Sequence, residues 1–567
     1  MSDIEIIRKF ALKNAIDYGK ADFNAVLGKV IANIPNAKEH IEEYRKLVKE
    51  VIDKINAMKR EEIVNEYKNY EEEFKEKEKI KKEETSHSNI SIEGAEIGKV
   101  ITRFPPEPGG YIHIGNAKQA ILSDEIAKMY KGSIYLYFDD TNPEKSKLEY
   151  VYAIKEDTNW LGINFAKEYY ASDFIPRLYE FGKELIEKGL AYVCLCSEEE
   201  IKNNRKNKVA CEHRNYSINE NLSLFNDMLN NKFDDGEAVL RLKLDIASPN
   251  PAMRDPTLFR VKHKIHYRQG DKYFVWPTYH MATPIVDSLN GITDVIRSKE
   301  YELYRDVHIF ILKNLNLRIP RIHEEARLRI RGNVTQKRIL RELMNKGILM
   351  GWDDPRLVTI KALRRRGIQA LAIRRFVLRF GLSKTDSEVD MDMLLSENRK
   401  IIDPMAKRLF AVIDPIKINI ESFEKSVSLP IHPDRDMGYR EYKVENEVFI
   451  SKSDYESIRE KEIINLKGLA QIEIIKKDNS FINAKISDLK GEKTIQWVPT
   501  KNNVRGYLLI INDLLDKNGE INKNSIERKE VLIEDYINKL NENELIQFER
   551  VGFFKLDKKN PIELLSL

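Results

Sequence analysis

The residues best suited to chemistry in this chain begin with His113-Ile114-Gly115-Asn116, which opens a stretch of helical spacing, HIGNAKQAILSDEIAKMY. A helix N-terminus presents unpaired N–H groups and a partial positive charge, so it is a ready anion site. His113 and Asn116 are three residues apart and so neighbours on one helix face. Gly115 lets a ligand come close to the backbone. Two donors on that face can follow phosphate oxygens as charge develops at an attacked phosphorus. Taken alone, the run is equally well read as a histidine capping a helix.

A second group uses every cysteine in the chain. Cys194-x-Cys196 and Cys211-x-His213 make a four-ligand set of the kind tetrahedral zinc takes, although one residue within each pair is tighter than the commoner spacings. The other reading is three buried thiols and an unrelated histidine. A third group is basic: Arg364, Arg365 and Arg366, then Arg374, Arg375 and Arg379. Arg375 and Arg379 share a helix face, whereas three consecutive arginines spread around one. Such residues are either a solvated basic surface or phosphate contacts with strong salt dependence.

The elements that must position these groups are partly legible. GKVITRF reads as a short strand, PPEPGG as a turn-rich loop, then the helix, then SIYLYF as a second strand ending at Asp139-Asp140. Strand, loop, helix and strand form a βαβ unit, the start of a parallel sheet whose site lies at its strand ends. A GxGxxG pattern is absent, which argues against a nicotinamide enzyme. Residues 1–98 read as helical; Ile63, Tyr67, Tyr70 and Phe74 recur on one face among dense charge, as expected of a helix packed on its neighbours. Residues 195–265 look like an insertion, with the sheet resuming near YFVWPTYHMATPIVD. A mainly helical stretch follows to about residue 400. Beyond Ile402, short runs such as KINIESF, AQIEIIKK and GYLLIIND alternate with turns and read as one or two β-barrels.

Composition bounds the rest. A chain of 567 residues suggests about four domains. With 42% hydrophobic residues there is apolar material for several cores, so disorder is not the default. Charged residues reach 33% but cancel to +4, so basic surface for nucleic acid must be local. No run of about 18 apolar residues occurs and the first residues lack a signal pattern, so a cytoplasmic protein with no membrane partner is expected.

Several long motifs in order are more specific than any one. TRFPPEPGGYIHIGN, YFDDTNPEK, IKEDTNWLG, WPTYHMATPIVDSLNGITDVIRSKEY and GWDDPRLVTIKALRRRGI resemble the successive blocks of class I glutamyl- and glutaminyl-tRNA synthetases. IDPIKINI, KTIQWVP and FERVGFF resemble the C-terminal barrels of the archaeal and eukaryotic branch. The likeness implies a multidomain α/β protein: a helical appendage (1–98), a Rossmann-like catalytic domain in two halves (99–194 and 266–335), an inserted acceptor-end-binding domain with the zinc set (195–265), a helical stem-contact domain (336–403) and a β-barrel anticodon-binding domain (404–567).

It also implies a two-step reaction. Glutamate attacks the α-phosphate of Mg-ATP, giving glutamyl-adenylate and pyrophosphate, and the terminal adenosine of tRNA takes the acyl group. By family position, Pro106, Glu107, Gly110, His113, Gly115, Asn116 and Lys337 would hold ATP, with His113, Asn116 and Lys337 catalytic and Glu107 near the ribose or the tRNA end. Lys337 sits in VTQKRIL, the counterpart of a mobile lysine loop suited to closing over departing pyrophosphate. Asp139 would accept from the α-ammonium of glutamate, Tyr279 would line the pocket, and Arg103 and Arg297 would meet the carboxylates. Arg297 discriminates: facing a γ-carboxylate it forms a charge-assisted pair, whereas facing an amide it stays a buried unpaired charge. Arg364, Arg365, Arg366, Arg375 and Arg379 would touch tRNA, and zinc at Cys194, Cys196, Cys211 and His213 would brace the insertion without catalysing. The expected partners are the glutamate tRNA, with the glutamine tRNA as a further acceptor, and a monomer is expected. The competing readings are a glutaminyl enzyme and a catalytically weak tRNA-binding paralogue. Asn116 replaces a usual His, Thr335-Gln336 a usual Met-Ser, Ile339 a later lysine and Tyr137 an Arg; the first is an amide donor in place of an imidazole donor, and the last has no explanation at this level.

Overall fold

The computed structural model describes residues 3–34, 37, 40–70, 90–478 and 481–567. It falls into two compact units, residues 1–88 and 89–567.

The first unit is helical. Asp3–Tyr18, Phe23–Asn33, Ile41–Asn56 and residues 60–70 are α-helices. Val48, Val51, Ile52 and Ile55 are buried at the spacing of one helix face, and they meet Ile7, Ala11, Val26 and Val30 in a common core. Ile63 is buried there, with Tyr67 and Tyr70 packed against it, as their spacing predicts; Phe74 lies outside the described residues. Asp22 starts the second helix by accepting the Ala25 N–H at 2.8 Å.

The second unit is built on short parallel strands. Ile101–Phe104, Ser133–Phe138 and Lys167–Tyr170 pair in parallel, with Arg103 opposite Tyr135. Asp294–Ser298 and Arg321–Glu325 form a second parallel pair, joined to Ile101 through the Thr293 backbone and hydroxyl. The helix Ile114–Met129 lies against this layer and buries Ile121 and Ile126 with Leu136, Phe138 and Ile154. Covered strands of this kind need apolar residues on both faces, which is why ITRF and SIYLYF barely alternate.

One expectation about the sheet is corrected. The strand in YFVWP, Val275–Pro277, pairs antiparallel with Thr257–Val261 and closes a four-stranded antiparallel sheet with Val239–Leu242 and Ala191–Cys194. The parallel layer resumes only at Asp294, after the helix Tyr279–Leu289. Both kinds of strand are short and apolar, so pairing direction is not written in them.

Helices Lys337–Asn345, Ile360–Arg366, Ala370–Leu378 and Met391–Ile402 follow. The chain ends in two seven-stranded, barrel-like sheets. A loop of the last one, residues 512–525, reaches back to the segment before Lys337. There Leu515 N–H donates to the Gly332 carbonyl at 2.9 Å, and Leu514 shares a cluster with Leu340, Leu343, Leu349 and Leu357. Gly332 has φ +69°, and a Cβ on it would lie 2.6 Å from the Asp513 side chain. No helix among the described residues is long and apolar enough to cross a membrane.

Candidate active site

The strand ends and the first helix open on a cleft of about 1330 Å³. Its walls include His113, Gly115 and Asn116, the group Arg103, Asp139, Tyr279 and Arg297, and Pro106, Glu107 and Lys337. The candidates assigned to ATP and to glutamate thus share one space, except Gly110, which lies beside it under Lys337.

The two readings of His113 turn out to coexist. Its Nδ1 accepts the Gly115 N–H at 3.0 Å, and Asn116 Oδ1 accepts the His113 N–H at 3.1 Å, a reciprocal cap at the helix start. The cap fixes which donors remain. With Nδ1 accepting, His113 carries its proton on Nε2; with its oxygen engaged, Asn116 keeps its NH2 for a ligand. Burial, with the Lys337 ammonium second, pulls His113 down to about 4, so it is a neutral donor. Gly115 is required for a steric reason, because a Cβ there would fall 2.8 Å from the His113 ring.

Lys337 begins its helix from the Gln336 cap position and lies across the PPEPGG loop. A Cβ on Gly110, whose φ is +153°, would meet Lys337 Cδ at 2.8 Å. One turn later Arg341 donates to the Gly109 carbonyl, while Leu340 and Leu343 bury the opposite face. Burial lowers the Lys337 pKa and Glu107 partly offsets this; no carboxylate pairs with its ammonium among the described residues. Arg329 is exposed on the same wall, and Ile339 lines it without a charge.

The part of the cleft that carries Arg103 and Arg297 is constructed differently. Arg103 is fully buried, its Nε 3.2 Å from both Asp287 oxygens and its Nη1 3.0 Å from the Ile296 carbonyl. Arg297, 2% exposed, donates to Glu324 Oε1 at 3.1 Å and approaches His308 Nδ1 at 3.3 Å, yet its Nε has no partner. Glu324 is shared with Arg305, so the two guanidiniums carry more charge than one carboxylate neutralises, and a ligand carboxylate on the cleft wall would offset it. Asp139 is pushed up to about 6 by burial, against the Thr141 hydroxyl that donates to it at 2.9 Å. Tyr137 is fully buried, stacked on Tyr169 with ring centroids 5.0 Å apart, so the position that is commonly Arg lies here inside an aromatic core.

The cysteines and His213 come together away from this cleft. Their four ligand atoms lie within 4.8 Å of one another. Tetrahedral zinc with Zn–S and Zn–N bonds of ordinary length requires S–S edges of about 3.8 Å and S–N edges of about 3.6 Å. Cys194 and Cys211 are 3.8 Å apart, and Cys196 lies 3.4 Å from His213 Nδ1, so the donor set fits. Arg241 Nη1 lies 3.8 Å from Cys194 Sγ and would offset the negative charge of three thiolates.

The arginine cluster divides. Arg364, Arg375 and Arg379 are exposed, Arg364 beside Glu156 and Arg379 beside Glu397. Arg365 instead pairs with Asp557, and Arg366 is buried, donating to the Ser566 carbonyl at 3.0 Å. Lys555 caps the end of the same helix by donating to the Arg364 and Arg365 carbonyls. These groups fasten the helix to the last barrel.

Sequence reading missed Asp287, Glu324, His308 and Arg341. Arg341, four residues after Lys337, was within reach of helical spacing; Asp287 stood out only as a carboxylate in an apolar run, TPIVD.

Comparison with known proteins agrees with this geometry. Residues 99–404 match the catalytic domain of class I tRNA synthetases (E and Q), and residues 406–492 and 494–557 match two anticodon-binding domains of the same group. The chain is 39% identical to a glutamate–tRNA ligase of Nitrosopumilus maritimus over 98% of its own length and 97% of that protein. It is 38% identical to one of Korarchaeum cryptofilum, over 100% and 99% of the two chains, and 38% identical to one of Pyrococcus furiosus, over 99% and 98%. With its catalytic domain matched over residues 99–404 and relatives 38–39% identical along nearly their whole length, the chain belongs to the class I tRNA synthetases of the glutamate and glutamine group.

Proposed function

We propose that this chain is a cytoplasmic, ATP-dependent glutamate–tRNA ligase acting as a monomer. The observation that carries the choice of glutamate is Arg297: a buried guanidinium on the cleft wall whose ion-pair partner, Glu324, is shared with Arg305. A γ-carboxylate would satisfy it; the amide of glutamine would leave it a buried charge without a counterion of its own.

ATP binds with its phosphates against the cap of the first helix, helped by Pro106, Glu107 and Gly110. Mg2+ bound with ATP would spread the charge of the phosphates. Asp139 accepts from the α-ammonium of glutamate while Arg103, Tyr279 and Arg297 hold its remaining polar groups. As the α-carboxylate attacks the α-phosphorus, His113 Nε2–H and the Asn116 amide donate to oxygens that gain charge, and Lys337 follows the departing pyrophosphate. The adenosine hydroxyl of tRNA then takes the acyl group and AMP leaves. Residues 195–265 grip the acceptor end, with zinc held by Cys194, Cys196, Cys211 and His213 as a brace. Arg364, Arg375 and Arg379 meet phosphates of the stem within the helical segment 336–403, and the barrels of 404–567 read the anticodon. Arg365 and Arg366, spoken for by the last barrel, serve this surface indirectly.

Incubation of the protein with Mg-ATP, labelled glutamate and purified tRNA tests the reading. Acylated glutamate tRNA is expected, and no product under any tRNA would sink it; parallel reactions with the glutamine tRNA measure acceptor breadth. Metal analysis of the purified chain should return one zinc, lost in Cys211→Ser. Arg297→Cys should abolish glutamate use, and unchanged glutamate charging in that variant would refute the specificity assignment.

A further inference from the structure

Arg297 must present one edge to a ligand and keep the others still, and the means lies on the helix Arg305–Asn314. Its Nη2 edge is held by Glu324, whose side chain has no exposure and is gripped from the other side by Arg305. Its Nη1 edge faces His308 Nδ1 at 3.3 Å. Arg305 and His308 are three residues apart, on one face of that helix, so a single element sets both restraints. A guanidinium offers only N–H groups, and so the imidazole nitrogen facing it must be the acceptor and carry no proton. His308 is 4% exposed, with Tyr279 at 5.3 Å and His280 at 5.8 Å between ring centres and the Arg297 charge beside it. Burial first, then the Arg297 guanidinium, holds it well below its ordinary pKa, in the neutral form. Glu324 and His308 thus restrain two of the three guanidinium nitrogens, and Nε has no hydrogen-bond partner among the described residues.

We propose that His308 is a positioning residue for amino-acid selection: its neutral Nδ1 restrains Nη1 of Arg297 and so holds the guanidinium in one orientation on the cleft wall for the substrate carboxylate. The proposal rests on the reading of Arg297 as the carboxylate-binding group. Removing the acceptor at 308 frees Nη1 to turn toward the cleft or to seek another oxygen. Glutamate then meets a mobile cation, and discrimination against glutamine weakens.

The test compares three variants of the full chain in tRNA charging. The amide oxygen introduced by His308→Asn would lie near the place of Nδ1, whereas His308→Gln reaches the place of Nε2 and His308→Leu offers no acceptor. Loss of one hydrogen bond to a charged group predicts a KM for glutamate raised about tenfold in the Leu and Gln variants, with the KM for ATP within about twofold of the parent. The ratio of kcat/KM for glutamate over glutamine should fall by a similar factor, and His308→Asn should recover to within about threefold of the parent. Should His308→Leu fail to fold, the Asn and Gln variants decide between themselves. Equal glutamate KM values in those two, with an active parent, overturn the role of His308 while leaving the ligase reading intact. A parent that does not use glutamate removes the ligase reading itself.

Discussion

The two ends of the cleft solve the problem of holding charge in opposite ways. At the proposed amino-acid end, each cation has a buried carboxylate beside it: Arg103 has Asp287, and Arg297 has Glu324. At the proposed phosphate end, Lys337 has no paired carboxylate among the described residues and Arg329 stands exposed on the wall. The difference follows from what each end must do. A small substrate that is to be chosen by one functional group needs donors frozen in place, and a buried guanidinium is tolerable only when neutralised. A triphosphate brings several negative charges of its own and gives up two of its phosphates as pyrophosphate, so cations without a fixed counterion serve it better. Selection and turnover are thus placed on different kinds of structure.

Substitutions can break that contrast, and the largest effect is expected where the fold itself depends on the pair. Arg103→Met strands Asp287 in the core, and stability should drop by about 3–5 kcal/mol; a denaturation midpoint unchanged from the parent would mean the pair is not structural. Lys337→Ala should do the reverse. It should slow tRNA-dependent pyrophosphate exchange by about 100- to 1000-fold while the unfolding transition stays put. Asn116→Asp sharpens the picture of the cap, because the carboxylate still accepts the His113 N–H but offers phosphate a negative charge in place of a donor. The helix should remain intact by circular dichroism and the exchange rate should fall about 100-fold. The smallest effect concerns acidity. Asp139 must be ionised to accept from an ammonium, and its pKa is raised to about 6. The kcat/KM for glutamate should therefore hold above that pH and fall as pH drops through it, by about tenfold per unit below. His113, near 4, stays neutral across the same range, so a profile breaking near 4 alone would exclude Asp139.

How much of this could be read beforehand depends on distance along the chain. The 113–116 turn, the strands Ile101–Phe104 and Ser133–Phe138, and the fourfold cysteine–histidine set are local patterns, and local patterns survive in a string of letters. The partners of the arginines do not: Asp287 lies 184 residues from Arg103, and Glu324 lies 27 from Arg297. Nothing in spacing links them, because tertiary packing rather than periodicity joins their strands and helices. Arg365 and Arg366 show the same limit from the other side. Their run suggested a nucleic-acid surface, while their partners, Asp557 and the Ser566 carbonyl, sit at the far end of the chain. The altered position 116 was partly legible, since an amide can donate; that its oxygen would be committed to the cap, leaving only the NH2, required the backbone.

The loop 512–525 carries a consequence for anyone reshaping this enzyme. Because Leu514 is part of the packing beneath the lysine-bearing helix, and Gly332 leaves no room for a side chain beside Asp513, the last barrel is not a detachable cassette. A graft that imports a new anticodon reader must also import a loop of matching shape, or the transplanted half will bind its tRNA while the catalytic half loses its footing.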